Sequence, residues 1–426
     1  MRRGARAGER RRPGWVGGIA LALSGVVAAW TATHPATAGP PVPGMTIGVT
    51  HAQQSADGWG EPGAVSRARD VLASVAPVQN QHLMGWGALN PEPRPGDMEF
   101  ASLDRRIEAI TGTGAEPVLT LCCAPDWMKG GEPGTTDWDR LTTAPDPDHY
   151  DDFARLAAAA AIRYPEVRRF IVWNEFKGFY DEERNNWDVA AYTDLYNEVY
   201  RAVKEVRPDA LVGGPYVVFD IWSSREEASH PSAVEGRWGV LDQRALDVVE
   251  YWLAHAEGAD FVAVDASSGT RDDGLLTTDF EATEALGEVT RWVRSRTDLP
   301  VWWAELYATV DGERPSSDAR RAAVMAQALV TVAQAGASGA LLWQPEASEE
   351  VRTAALFTPT AEAAGGRPLP LVALLEVIGE ELRRDPRRVE TRWHPSGPMW
   401  TVRTPEWSAV WTPDGGVRGP FPTAVW

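Results

Sequence analysis

The sequence predicts a (β/α)8 barrel, an α/β fold, followed by a small C-terminal β appendage. Eight apolar, strand-like runs alternate strictly with amphipathic helical stretches. Such alternation is typical of a parallel sheet, and eight is the number of strands that closes a barrel. Most of the runs are nearly continuous in apolar residues, as expected of strands that are covered on both faces.

The predicted elements follow one another in pairs, and a final helix ends the series. The predicted strands are Thr46–Thr50, His82–Gly85, Pro117–Cys122, Arg169–Trp173, Leu211–Pro215, Phe261–Asp265, Val301–Glu305 and Ala340–Trp343. The predicted helices are Val65–Ala76, Leu103–Thr111, Tyr150–Arg163, Ala190–Val206, Leu241–Ala256, Glu281–Arg296, Ser317–Ala335 and Pro370–Arg384.

An open, doubly wound sheet is the alternative fold for this alternation. That fold commonly carries a glycine-rich phosphate loop after its first strand. Here Gly48-Val49-Thr50-His51 stands at that place, so the barrel is favoured.

The pattern of apolar residues changes after about Arg387. Short alternating runs at Val389–Trp393, Met399–Arg403 and Trp407–Trp411 are separated by Gly and Pro. They indicate an appendage of about three strands, which is too small to be stable alone and is expected to pack on the barrel. The predicted domains are therefore a barrel at residues 39–385 and an appendage at residues 386–426.

The first 38 residues have the features of an export signal. Six arginines precede an apolar stretch from Trp15 to Trp30, and Ala36-Thr37-Ala38 offers a cleavage site. An uncleaved membrane anchor is the alternative, because the apolar stretch is near spanning length. We expect a secreted protein that is cleaved near Ala38.

The chain is acidic, with a net charge of −19. Without residues 1–38, which contain six arginines and one glutamate, the net charge is −24. Such a surface repels nucleic acid and anionic membranes. Neither is expected as a partner, and we expect no stable membrane insertion once the signal is removed.

The only two cysteines, Cys122 and Cys123, are adjacent. Neighbouring residues on a strand point to opposite faces, so a bridge between them would be strained, and two free thiols are expected. The seven histidines show no ligand spacing, and no Cys/His cluster indicates a metal. We therefore expect neither a metal nor a cofactor.

Two predicted strands, the fourth and the seventh, end in a glutamate. They read Arg169-Phe170-Ile171-Val172-Trp173-Asn174-Glu175 and Val301-Trp302-Trp303-Ala304-Glu305. Functional groups of a barrel lie at the C-terminal ends of its strands, so both glutamates are expected at the mouth. Hydrolysis of a glycosidic bond requires a proton donor and a second carboxylate, and mutual repulsion raises the pKa of one member of such a pair.

The motifs around these glutamates resemble those of the clan A retaining glycosidases. Trp173-Asn174-Glu175 is similar to the clan's acid/base motif, and Trp303-Ala304-Glu305 is similar to its nucleophile strand. Trp86–Pro93 is also similar to the clan's second and third strands. Within the clan the chain most resembles family 39, which includes β-xylosidases, and Tyr192–Gly214 adds to that resemblance. The resemblance covers residues 45–345.

The resemblance implies a role for each matching residue. Glu175 would be the general acid/base, Glu305 the nucleophile, and Asn174 a hydrogen-bonding partner of the sugar 2-hydroxyl. Trp343, which ends the eighth strand, would be the platform under the sugar ring. The two carboxyl groups would lie about 5–5.5 Å apart, and the anomeric configuration would be retained.

The sequence departs from the family pattern at two places. Phe176 follows the acid/base glutamate, where many relatives have proline. The sixth strand ends at Asp265, where relatives often have a histidine and a tyrosine near the nucleophile, and Tyr307 is a candidate to replace that tyrosine. Asp265 is placed to contact a sugar hydroxyl or to orient Glu305, with capping of the next loop as the alternative.

Aromatic side chains and one histidine complete the candidate cleft. Aromatic faces stack on sugar rings, and of the 20 tryptophans we favour Trp127 and Trp343 for this role. His51 ends the first strand and is expected to face the mouth. Contact with the substrate and a position in the protein core are the two alternatives for His51.

These observations predict a secreted retaining β-glycosidase that acts by double displacement on an oligo- or polysaccharide. β-Xylosides are the first substrate class expected, and a bacterial cell-surface glycan or exopolysaccharide is the second. An endo-acting glucanase or mannanase of the same clan is one alternative. A carbohydrate-binding surface protein without turnover is the other.

Overall fold

The computed structural model describes residues 42–52, 60–82, 90–310, 317–348, 352–394, 397–403, 407–411 and 417–422. The predicted export signal at residues 1–38 lies outside this part of the chain. Residues Val42–Trp426 form one compact unit. Among the described residues, no helix combines the length and apolar character needed to cross a bilayer.

The strands are numbered in chain order. They are β1 (Thr46–Thr50), β2 (Val78–His82), β3 (Glu116–Leu121), β4 (Arg169–Val172), β5 (Tyr180–Asp181), β6 (Asn186–Trp187), β7 (Leu211–Val218), β8 (Ile221–Trp222), β9 (Pro231–Gly236), β10 (Gly239–Asp242), β11 (Phe261–Ala266), β12 (Val301–Leu306), β13 (Gly339–Trp343), β14 (Val389–His394), β15 (Gly397–Arg403), β16 (Trp407–Trp411) and β17 (Val417–Pro422).

The helices alternate with the strands. They are α1 (Pro62–Val75), α2 (Ala101–Thr111), α3 (Tyr150–Arg163), α4 (Val189–Val206), α5 (Gln243–His255), α6 (Asp279–Ala282), α7 (Glu284–Arg294), α8 (Asp318–Gln334) and α9 (Pro370–Arg384).

Eight parallel strands close into a barrel in the order β1-β13-β12-β11-β7-β4-β3-β2. The predicted fold class is therefore confirmed. A compact apolar layer fills the interior of the barrel, as is usual for this fold. It consists of Val78, Val118, Ile171, Tyr216, Phe261, Ala263, Trp302, Ala304 and Leu341.

The second strand differs most from its prediction. The predicted run His82–Gly85 follows an apolar pattern, whereas β2 is the mostly polar segment Val78–His82, and residues 83–85 lie outside the described part of the chain. Asn80 lies inside the barrel, where it donates to Thr50 Oγ1 at 3.1 Å and accepts from Thr120 Oγ1 at 3.0 Å. Hydrogen bonding thus makes a polar strand interior acceptable, which apolar periodicity does not anticipate.

Two helices also differ from their predictions. The predicted helix Leu241–Ala256 begins at Gln243, because Asp242 ends strand β10 and its side chain accepts from Arg244 N at 2.9 Å. The predicted helix Glu281–Arg296 is divided into α6 and α7 around Thr283. Two small sheets, β5-β6 and β8-β10-β9, were not predicted.

The cysteine prediction was wrong. Cys122 and Cys123 form a disulfide, and the peptide bond between them is cis. The alternation of side chains applies within a strand, but β3 ends at Leu121, so both cysteines lie beyond it. Their Cα atoms are 3.0 Å apart, and both side chains are buried.

The C-terminal appendage is an antiparallel sheet in the order β14-β15-β16-β17. It has four strands where about three were predicted, because Gly419 and Pro420 obscured β17 in the sequence. Trp400 of β15 is completely buried, donates to Gln327 Oε1 of α8 at 2.5 Å, and packs against Phe280 of α6.

Trp400→Ala should lower the free energy of unfolding by about 3–5 kcal/mol, because it removes a large buried side chain and leaves Gln327 without its donor. Denaturant unfolding followed by circular dichroism measures this loss. Trp138, which is 56% exposed, supplies the control, since Trp138→Ala should change the unfolding free energy by about 0.5 kcal/mol or less. Equal effects of the two substitutions would contradict the role of Trp400.

Candidate active site

A bulge in β12 turns Glu305 into the barrel. The register with β11 runs Ala263 to Trp302 and Val264 to Trp303, and then omits Ala304 so that Asp265 pairs with Glu305. Side chains of a regular strand alternate between faces, and Trp303 points outward, where its Nε1 donates to Thr290 of α7 at 3.1 Å. If the alternation continued regularly through Ala304, Glu305 would point outward like Trp303, so the bulge turns Glu305 toward the interior.

A second bulge, in β7, brings Tyr216 to the same place. β7 pairs with β11 through Pro215–Ala263 and Val217–Val264, so Tyr216 is the extra residue. Its φ of 56° is in the left-handed region, and its side chain joins the interior layer. The Tyr216 hydroxyl donates to Glu305 Oε1 at 2.6 Å.

A left-handed turn after β4 places Glu175. Trp173, Glu175 and Phe176 have φ values of 67°, 52° and 57°, which side chains other than glycine adopt only when the surroundings enforce them. Here Trp173 packs edge-on against Phe179 at 5.7 Å, and Phe176 lies 4.1 Å from the ring of Tyr192. Aromatic packing on both sides of Glu175 therefore fixes the turn.

Glu175, Asp265 and Glu305 meet at the mouth of the barrel. One carboxylate oxygen from each lies within 4.8 Å of the other two. Glu305 is 1% exposed and Asp265 is 2% exposed, whereas the side chain of Glu175 is 18% exposed. The predicted convergence of Glu175 and Glu305 is thus present in the geometry, with Asp265 as a third member.

Burial and like charge act together on Glu305. Loss of hydration, followed by the nearby charge of Glu175, raises the pKa of Glu305 from 4.5 to about 8. Hydrogen bonds from Tyr216 and Tyr307 and the charge of Lys177 oppose this rise. The hydroxyl of Tyr307 donates to Glu305 Oε2, so each oxygen of Glu305 has a phenolic donor.

Glu175 and Asn174 have partners that the sequence reading overlooked. Lys177 Nζ lies 2.8 Å from Glu175 Oε2. His82 Nε2 lies 3.3 Å from Asn174 Oδ1, and burial lowers the pKa of His82 to about 4. A neutral His82 donates through Nε2, which leaves the amide nitrogen of Asn174 to donate to another group.

Tyr307 and Trp343, which were also predicted as site residues, lie near the three carboxyl groups. Tyr307 contacts Glu305 directly, and the half-buried ring of Trp343 lies 6.2 Å from that of Tyr307. Trp343 therefore stands beside the carboxyl groups at the end of β13.

The structure places Trp127 and His51 in other surroundings. Trp127 Nε1 donates to the backbone oxygen of Glu92 at 2.9 Å, and its ring packs edge-on against His149. His51 Nε2 lies 2.9 Å from Gln79 Oε1. Both side chains are buried, Trp127 among the loop residues and His51 next to Gln79 of β2.

Sequence reasoning missed Tyr216, Lys177 and His82 as members of the site. Tyr216 and His82 lie within apolar or polar strand runs that carry no motif, and bulges leave no signature in a single sequence. The sequence did offer a signal for Lys177, which stands two positions after Glu175. A basic residue so close to a predicted catalytic carboxyl group is a candidate member of the site.

The carboxyl cluster has the donor chemistry of a cation site, since three oxygens converge within 4.8 Å. Both oxygens of Glu305 already accept from tyrosines, and Glu175 pairs with Lys177. These partners supply the hydrogen bonds and positive charge that a cation would otherwise provide.

The barrel is shared with solved structures of glycoside hydrolases. A monomeric β-xylosidase from Caulobacter crescentus CB15 is 16% identical, with a TM-score of 0.57 over 87% of this chain and 74% of that chain. The GH39 enzyme from Xanthomonas axonopodis pv. citri is 18% identical, with a TM-score of 0.55 over 92% of this chain and 76% of that chain.

A glucosidase from Croceicoccus marinus is similar to a comparable extent, at 16% identity and a TM-score of 0.52 over 87% of this chain and 76% of that chain. No protein-family model matches the chain, and no curated protein matches it in sequence. At these identities the likeness establishes the fold, and the chain has the barrel architecture of these glycosidase structures.

Glu305→Gln should raise the melting temperature by a few degrees at pH 8 and much less at pH 5. Below pH 4.5 the folded and unfolded chains both keep this proton; as pH rises toward 8 only the unfolded chain releases it, so the native state loses stability. The uncharged glutamine removes that loss. Thermal unfolding across this pH range measures the difference, with the exposed Glu362→Gln as the control; a gain that shrinks with rising pH would contradict the assignment.

Proposed function

We propose that this chain is an exported retaining β-glycosidase that hydrolyses O-glycosidic bonds by double displacement. The observation that carries this proposal is the approach of Glu175 and Glu305, since one carboxylate oxygen of each lies within 4.8 Å of the other at the mouth of the barrel. Retaining enzymes hold their two carboxyl groups about 5–5.5 Å apart, whereas inverting enzymes need about 6.5–9.5 Å to admit a water.

The first step joins the sugar to the enzyme. Glu305 attacks the anomeric carbon as a carboxylate, while the protonated Glu175 gives its proton to the departing oxygen. Tyr216 and Tyr307 hold both oxygens of Glu305 in place and favour its ionised form. The larger exposure of Glu175 suits a residue that must reach the leaving group and, later, water.

The second step releases the sugar. Glu175, now ionised, takes a proton from water, and the resulting hydroxide attacks the anomeric carbon and frees Glu305. Asn174, oriented by His82, would donate to the sugar 2-hydroxyl, and Trp343 would stack under the ring. These two contacts define the subsite at which the bond is cleaved.

β-Xylosides or related glycans are the proposed substrates. The support is the sequence resemblance to family 39 together with the shared fold of a solved β-xylosidase. Hydrolysis of a panel of aryl β-glycosides by the wild type and by Glu305→Ala tests this. We expect cleavage by the wild type, with the β-anomer appearing first in proton NMR, and no cleavage by the variant.

The same panel separates the competing functions. Sugar binding without turnover by the wild type would favour a carbohydrate-binding protein, and cleavage only within long glucans or mannans would favour an endo-acting enzyme. Release of the α-anomer as the first product would exclude the retaining mechanism.

Glu175→Ala should lower kcat/KM by about 10²–10⁴-fold for alkyl β-glycosides, whose leaving groups need a proton. Dinitrophenyl β-glycosides need no acid, so their first step should be nearly unchanged, and azide should accelerate the slowed second step. Stopped-flow and steady-state kinetics measure both. Glu182→Ala, a change at a neighbouring exposed residue, is the control, and an equal loss for both leaving groups would refute the acid/base role.

A further inference from the structure

We propose that Asp265 is a positioning residue that stores the proton which Glu175 delivers to the leaving group. This inference rests on the proposed function. It concerns the carboxyl group that stands in register with Glu305 across β11 and β12, at a strand end where the resemblance to family 39 predicts different residues.

The hydrogen bonds of the three carboxyl groups differ, and they indicate which group holds a proton. Glu305 accepts from two tyrosines, and Glu175 is paired with Lys177 at 2.8 Å. Asp265 Oδ1 is buried, with no hydrogen-bond donor among the described residues. A buried carboxylate without a donor is strongly disfavoured, while the neutral acid is tolerated.

The charges around Asp265 lead to the same assignment. Glu305, Glu175 and Asp220 bring negative charge from β12, from the turn after β4 and from the segment after β7, and Lys177 brings positive charge. Burial, and then the repulsion by Glu305 and Glu175, raises the pKa of Asp265 well above its ordinary value. The phenols of Tyr216 and Tyr307, which also face it, stay protonated because burial raises their pKa.

The ion pair with Lys177 creates the need for a proton store. Lys177 Nζ lies 2.8 Å from Glu175 Oε2 and so places a positive charge against this carboxyl group, yet the first chemical step requires Glu175 to carry a proton. When the substrate separates Lys177 from Glu175, a proton must reach Glu175 from nearby. An oxygen of Asp265 lies within 4.8 Å of one of Glu175, a gap that one water or sugar hydroxyl bridges.

The proton balance closes over the catalytic cycle. The O–H bond of Asp265 breaks and an O–H bond forms on Glu175, which then gives the proton to the leaving oxygen. In the second step Glu175 takes a proton from water and returns it to Asp265. With Asp265 neutral, Glu305 ionises beside one charged carboxyl group, that of Glu175, rather than beside two.

Asp265→Asn tests this with two classes of β-glycoside. Alkyl β-glycosides, which need the proton, should lose at least about tenfold in kcat/KM, while dinitrophenyl β-glycosides should stay within about twofold of the wild type. The basic limb of the alkyl-glycoside pH profile should move down by about one pH unit, because the variant lacks the proton store at position 265. Asp273→Asn, an exposed change in the loop after β11, should leave both rates and the profile unchanged.

Equal losses for both leaving groups, or an unchanged basic limb, would overturn the proton store and leave the glycosidase proposal standing. A wild type that cleaves no glycoside would instead defeat the glycosidase proposal. A second measurement uses the wild-type protein and so does not depend on whether a variant folds: infrared spectra of protein labelled with ¹³C at the aspartate carboxyl groups. They should show a protonated carboxyl band at pH 7, and its absence would overturn the inference.

Discussion

The site depends on one constraint, the β-bulge in β12 at which Ala304 is the extra residue. A strand sends alternate side chains to opposite faces, and Trp303 is committed to the outer layer by its bond to Thr290. The bulge breaks that alternation at the rim, so that Glu305 enters the barrel in register with Asp265. The bulge at Tyr216 does the same on the other side of β11. Two bulges that flank one regular strand therefore bring a tyrosine donor and a carboxylate acceptor together where a regular barrel would hold outward-facing side chains.

This arrangement concentrates negative charge where hydration is poor. Three carboxyl groups, each with one oxygen within 4.8 Å of an oxygen of the other two, destabilise the folded chain, and the surrounding groups offset only part of that effect. Two phenols serve Glu305, Lys177 serves Glu175, and Asp265 remains without a described donor on Oδ1. Groups arranged in this way have different proton affinities, which is a requirement for acid and nucleophile to act in one cleft. Residual electrostatic strain is typical of functional sites and is tolerated because the rest of the barrel is well packed.

Rigid support comes from aromatic packing outside the barrel. The turn that carries Glu175 requires three left-handed residues, and Trp173, Phe176 and Phe179 lock it against α3 and α4 through Phe153 and Tyr192. Phe176 itself has a φ of 57°, a left-handed conformation that proline, with its φ fixed at about −65°, does not adopt. Its ring is packed against Tyr192. The position of Glu175 therefore depends on side-chain packing rather than on local backbone restriction.

The sequence by itself determined the barrel, the order of its strands, six of its helices with only small changes at their ends, and the two glutamates, because apolar periodicity and strand-end position are local properties. Only the tertiary structure decided the polar strand β2, the bulges at Ala304 and Tyr216, the disulfide of Cys122 and Cys123, and the pairing of Glu175 with Lys177. Each of these depends on which groups face one another after the barrel closes. Asn80 is acceptable inside because Thr50 and Thr120 contact it there. Trp127 contacts the backbone of Glu92, and His51 contacts Gln79. Contacts between residues that are distant in sequence decide these features. A single sequence does not show which individual residues come into contact when the barrel closes.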